Sequence, residues 1–128
     1  MAIRAAPLRI IVQQGAPYNK KFKRTSGGSP VDLTGRVLVL QVRSRRTPAN
    51  KPSVLAEWRS DGADPLINVT DAEQGEFEFD VPASATAEYA FKDAEHDLVM
   101  LVDGDVVERT LQGPFLVDAS VAVIEVAE

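Results

Sequence analysis

Gly75-Glu76-Phe77-Glu78-Phe79-Asp80-Val81 alternates apolar and acidic side chains almost without fault. Successive residues of a strand point to opposite faces, so Phe77, Phe79 and Val81 face one way and three carboxylates face the other. That is the pattern of a sheet with one side buried and one side in water. Two other stretches read the same way. In Arg36–Arg43, Leu38, Leu40 and Val42 share one face, with Val37, Val39, Gln41 and Arg43 on the other. In Asp97–Val102 both faces are apolar, which predicts a central strand covered on both sides.

Turn chemistry separates these runs at short intervals. Ser26-Gly27-Gly28-Ser29-Pro30 reads as a loop, and Asp32-Leu33-Thr34-Gly35 as a turn into the following strand. Asp103-Gly104-Asp105 lies between the strand-like runs Leu98–Val102 and Val106–Leu111, a strong hairpin signal. Gln112-Gly113-Pro114 is expected to break that second run from a last strand over Phe115 to Val126. Leu8 to Val12, Val54 to Trp58 and Leu66 to Val69 supply further short strands. Only the alanine-rich stretch Pro82–Ala90 argues for helix, with Ser84 as its expected cap.

About eight to nine strands and one short helix predict an all-β protein, a two-sheet immunoglobulin-like β-sandwich, with a closed barrel as the alternative. The length of 128 residues suits one domain, taken as 1–128. A chain of this size buries enough surface to need no covalent staple, and there is no cysteine to provide one. The absence of cysteine also suits a reducing compartment. No apolar run approaches the length needed to span a bilayer, and Arg9 interrupts the N-terminal apolar stretch. The protein is expected to be made and used without export.

Charge is divided unevenly along the chain. Residues 1–51 carry eleven Lys or Arg and one acid, Asp32, whereas residues 52–128 carry three basic residues and eighteen acids. Two consequences are open. Strands from both halves could interleave and mix the charges on one surface. Alternatively, a positive and a negative face would suit head-to-tail packing into a ring. Tyr18 and Phe22 lie among Lys20, Lys21, Lys23 and Arg24, a pattern that nucleic-acid sites share, but the acidic half opposes a polyanion. No nucleic-acid or membrane partner is expected.

Chemistry-bearing groups are sparse. The single histidine, His96, has Asp93, Glu95 and Asp97 nearby in sequence, but no second histidine or cysteine completes a zinc site. It reads as a loop or strand-edge residue. Asp61-Gly62-Ala63-Asp64 and Asp103-Gly104-Asp105 lack the spacing of a calcium loop. Glu76, Glu78 and Asp80 alternate toward solvent rather than flanking a cleft. Gly27-Gly28 lacks the lysine of a phosphate loop, and no serine sits in a nucleophile elbow. The chain is read as non-enzymatic, with no cofactor and no metal. Trp58 is read as a core residue or an interface anchor, and Tyr18 and Phe22 likewise.

The order of these features resembles a known family. Gln14-Gly15-Ala16-Pro17-Tyr18 opens one strand, and Pro30-Val31-Asp32-Leu33-Thr34-Gly35 leads into another that ends in Val42-Arg43. Gly75–Phe79, Ala83–Ala87, Asp97-Leu98, Asp103-Gly104 and Leu111-Gln112-Gly113-Pro114-Phe115 follow. Together these resemble the small β-sandwich domains of tailed-bacteriophage virions, in particular collar-type tail proteins to which side fibres attach. They are also similar to the N-terminal immunoglobulin-like domains of baseplate upper proteins. His96-Asp97-Leu98 departs from the aromatic-acid pair that such families often carry there.

The resemblance spans about residues 8–124 and implies a structural role without catalytic residues. The implied protein is a symmetric homo-oligomer bound to other virion proteins, assembled in the host bacterial cytoplasm and located in the virion. Capsid decoration, head-fibre attachment and carbohydrate binding through Trp58, Tyr18 or Tyr89 are the alternatives. The candidate interface residues are Trp58, Tyr18 and Phe22, with the basic residues Lys20, Lys21, Lys23, Arg24, Arg45 and Arg46.

Overall fold

The computed structural model describes residues 6–45 and 53–119. Its strands are β1 (Ala6–Pro7), β2 (Ile10–Gln13), β3 (Tyr18–Lys23), β4 (Thr25–Ser26), β5 (Ser29–Pro30), β6 (Val37–Ser44), β7 (Val54–Arg59), β8 (Ile67–Asp71) and β9 (Glu76–Val81). A single helical turn, α1 (Ala83–Thr86), follows, and then β10 (Asp93–Val102) and β11 (Asp105–Asp118). In the large sheet, β7, β6, β10 and β11 are antiparallel neighbours, and β1 and β2 both lie parallel on the far edge of β11. The small sheet has the order β3-β9-β8, and β4 and β5 form a separate small hairpin.

This is an all-β two-sheet sandwich, with the first strands crossing over to pair with the last. No pairing between described strands joins the two sheets into the closed barrel that was the alternative. The inward residues of both sheets meet in one core. Leu38, Leu40 and Val42 of β6, Leu98 and Met100 of β10 and Phe115 of β11 face Phe77, Phe79 and Val81 of β9, all essentially buried. Trp58 of β7 joins the sheets, with its ring 5.3 Å from Phe79 and 5.6 Å from Phe115, both edge-on. Such edge-to-face pairs add about 0.5–1.5 kcal/mol each to simple burial.

Several expectations change. The Asp97–Val102 stretch is central, between β6 and β11, but only one of its faces is sealed. Leu98 and Met100 are fully buried, whereas Val99 and Leu101 are half-buried and Val102 is exposed. The Gln112-Gly113-Pro114 break does not occur: β11 runs unbroken through it from Asp105 to Asp118. Residues 120–126 of the expected last strand lie outside the described residues. Ser84 lies inside α1 instead of capping it; Pro82 occupies the N-cap and offers no side-chain bond. The β10–β11 hairpin forms as expected, with Asp103 at φ 51° and Gly104 at φ 84°, the left-handed pair that a tight hairpin turn requires.

Candidate interaction surfaces

Among the described residues, the charge division of the sequence is mixed on folding. In the small sheet, register places Lys21 opposite Glu78, Lys23 opposite Glu76 and Asn19 opposite Asp80. The basic early strand is thus laid against the acidic late one, and opposite charges facing each other across a ladder stabilise it. The same mixing recurs elsewhere. Arg24 Nε donates to Glu108 Oε1 at 2.7 Å, and Arg36 lies 4.0 Å from the other carboxylate oxygen. Arg24 also donates to the Thr25 carbonyl. Arg45 pairs with Asp93 at 2.8 Å and lies 3.9 Å from Glu95. Of the two open consequences, the interleaved one describes these residues, because the topology pairs strands from opposite ends of the chain.

The residues expected at an interface are scattered rather than gathered. Trp58 is withdrawn completely, with no exposed surface, and its Nε1 donates to the Tyr89 hydroxyl at 2.7 Å. Tyr18 is half-buried, with its ring centroid 6.0 Å from that of Trp58. Burial pushes the phenol pKa values of Tyr18 and Tyr89 upward. These three aromatics pack together, Trp58 fully buried and the two tyrosines half-buried. Phe22 stacks on Phe77 at 5.1 Å, with the Lys20 ammonium 5.9 Å above its ring. Lys20, Lys21 and Lys23 are exposed, whereas Arg24 and Arg45 are already ion-paired. Arg46 lies outside the described residues.

His96 is neither in a loop nor at a strand edge. It sits within β10 and points inward with Ala94, Leu98 and Met100, only 3% exposed. Its Nε2 lies 2.7 Å from the Leu8 carbonyl oxygen. A carbonyl can only accept, so Nε2 carries the proton, and Nδ1 is a buried acceptor without a partner among the described residues. Burial holds its pKa below the ordinary histidine value, outweighing the opposing pull of Leu8 and Asp97. The neighbour opposite His96 is Gly113. A side chain at that position would strike the Leu8 carbonyl oxygen, so the glycine is what admits the Leu8 backbone. Leu8 N also donates to the Gln112 carbonyl at 2.8 Å. His96 and Gly113 together seat the Leu8 backbone between β1 and β2. A cleft of about 440 Å³ lies beside this seam, with Arg45, Glu95, Asp97 and Arg109 on its walls. Arg109 Nη2 donates to Asp97 Oδ1 there at 2.8 Å.

The outer face of the large sheet differs from the rest of the surface. Val37 and Val39 of β6, Val99 and Leu101 of β10, and Val106 of β11 are neighbours across three adjacent strands. Val106 is 59% exposed, and Val102 and Val107 near the same hairpin are also open to solvent. A shallow depression of about 290 Å³ runs over Val39, Val99, Leu101 and Val106, with Arg43, Arg59, Glu57 and Asp97 around it. Arg59 is held by Asp61 at 2.7 Å and Glu57 at 3.3 Å, and the Arg59 guanidinium keeps the Asp61 carboxyl below the usual range. Sequence reading missed this face because it took the apolar outward residues of Asp97–Val102 as covered.

Among the described residues, no group of three His, Cys, Asp or Glu is placed to hold a metal ion. No helix among them is long and apolar enough to cross a membrane. The Asp32 turn is local: Asp32 Oδ1 accepts from the Thr34 amide at 2.9 Å and the Thr34 hydroxyl at 2.6 Å, which lowers its carboxyl pKa. No family model matches the sequence, and no curated protein does. Among solved structures, the chain is similar to the extracellular domain of the voltage-gated sodium channel β4 subunit, described in parallel homodimers with a role in cell–cell adhesion. The identity is 7%, the coverage 94% of this chain and 98% of that one, and the TM-score 0.40.

Proposed function

We propose that this domain is a non-enzymatic structural subunit of a tailed-bacteriophage virion, a homo-oligomeric collar or connector that binds neighbouring tail proteins and side fibres through its surface. The observation that carries the reading is the outer face of the large sheet. Outward positions of a sheet bordered by water are expected to be polar, yet Val99, Leu101 and Val106 form a contiguous apolar band there. A protein that works by contact has use for such a band, and the charged residues around it fix orientation rather than perform chemistry. The order of turns and strands quoted for the virion family supports the setting. Carbohydrate binding gains no support, since its candidate aromatics pack against one another.

The test is composition and place. Particles of the phage that encodes this chain, purified and analysed by mass spectrometry, are expected to contain it in a fixed ratio to a tail protein. Antibody labelling is expected at the neck or tail. Absence from intact particles would sink the proposal, and labelling spread over the head would move it to capsid decoration.

A further inference from the structure

The first strands hold to the edge of the large sheet with unequal strength. β2 makes four registered pairs with β11, and its Ile10 and Val12 are fully buried. β1 makes two, and its Ala6 and Pro7 are both exposed. Proline has no N–H, so Pro7 donates nothing to the ladder. Leu8, half-buried, is what fixes this short segment. Its N–H donates to the Gln112 carbonyl at 2.8 Å, and its carbonyl accepts from His96 Nε2 at 2.7 Å. Gly113 stands opposite His96 on β11 and has no side chain to keep the ring from Leu8.

A charged His96 does not suit this seat. Protonation adds an N–H at Nδ1, where no acceptor stands among the described residues, and it puts a charge on a side chain only 3% exposed. The neighbouring strands offer little in return. β6 places Val42 opposite His96, and β11 places Gly113 opposite it and the Phe115 ring edge-on at 6.4 Å. The N-terminal segment brings the Leu8 carbonyl, which Nε2 already uses. On β10 itself, Asp97 is the charge whose field favours the protonated ring. Alternation turns the Asp97 carboxylate to the other face, where Arg109 holds it at 2.8 Å, and Glu95 lies there 3.9 Å from Arg45. The Leu8 backbone separates the ring from the sheet edge, so hydrating the charge means lifting that backbone.

We propose that His96 and the Leu8 carbonyl form an acid-released latch: protonation of the ring frees Ala6–Leu8 from the edge of β11, while β2 keeps its place and the sandwich stays folded. The hinge falls at Arg9, exposed between the freed and the retained segment. The direction follows from where the proton binds. In the open form the ring meets water and titrates near the ordinary 6.5, whereas burial lowers its pKa in the closed form. The open form therefore binds the proton more tightly, and acid below 6.5 favours opening until the lowered value is reached. For a single proton, opening rises at most about tenfold between about pH 7.5 and about pH 5.5.

Amide hydrogen exchange of the full chain, followed by NMR at those two pH values and corrected for intrinsic chemistry, tests the latch. Opening at the Leu8 amide is expected to rise several-fold on acidification. It should also be indifferent to low urea, because release of a short segment exposes little surface. Exchange at Leu40 and Leu98 in the core should respond to urea. His96→Gln keeps a donor for the Leu8 carbonyl but cannot titrate, so Leu8 opening should no longer depend on pH. Gly113→Ala sets a methyl group against the Leu8 carbonyl and holds the latch open, so His96 should titrate near 6.5 in that variant. Leu8 opening that ignores pH in the natural chain overturns the inference, and so does opening that follows urea together with the core. A His96→Gln chain that keeps the pH dependence, or a Gly113→Ala chain whose His96 titrates as before, overturns it equally.

Discussion

The two outer faces of the sandwich obey the same alternation rule and end differently. On the small sheet, every outward position of the β3–β9 ladder is polar, with Lys21 against Glu78 and Lys23 against Glu76. On the large sheet, the corresponding outward positions include Val37, Val39, Val99 and Leu101. The first face is finished as a water boundary, with charges that stabilise the pairing itself. The second is unfinished, and the cost of leaving apolar groups in water is what another surface would recover. The sandwich thus carries one face finished in polar side chains and one that keeps partly exposed apolar ones.

The largest test of the comparison removes what both faces share. Phe79→Ala empties the centre of the core between the sheets and should cost about 3–5 kcal/mol, measured by urea unfolding. A loss of less than about 1 kcal/mol would mean that the sheets do not depend on each other, against the usual cost of core truncation. The second test contrasts the faces directly. Val39 is outward yet only 4% exposed, so Val39→Asn should cost about 1–3 kcal/mol for a poorly satisfied amide. Glu78→Val on the small sheet should stay within about 0.5 kcal/mol, as surface changes do. Equal costs at the two positions would erase the distinction drawn here.

The third effect is confined to acid. His96 titrates near 6.5 in the unfolded chain and lower in the folded one, because burial disfavours its charged form. The unfolded chain therefore takes up the proton first as pH falls. The stability that His96 contributes is fully present above pH 6.5 and declines below it, toward the lowered folded value. Unfolding midpoints measured from neutral pH downward should show this slope. A His96→Gln variant should lose it, and an unchanged slope in that variant would place the titration elsewhere.

How far these features could be read beforehand depends on how local their causes are. Alternation in Glu76–Val81 and the Asp103-Gly104 turn are set by adjacent residues, and both were legible. The apolar stripe of Ala94, Leu98 and Met100 holds His96 at its second position, so strand parity carried a signal for its burial that the nearby acids obscured. The pairing of Lys21 with Glu78 depends on which distant strands become neighbours, and no local pattern encodes that. Gln112-Gly113-Pro114 misled for a related reason. Glycine before proline resembles a break, but here the glycine makes room for the distant Leu8 backbone. The apolar face was written in Val99 and Leu101 all along; what remained hidden was that the described chain covers them only in part.

The parallel seating of β2 on β11 has a mechanical consequence. Ile10 to Gln13 run beside Phe115 to Asp118 in the same direction, four registered pairs in succession. A pull drawing β2 backward and β11 forward acts along both strands and loads their hydrogen bonds together, instead of peeling them one by one. Rupture then requires the whole ladder to shear at once. Tension carried through this pair of strands would meet resistance before the core behind them felt any load.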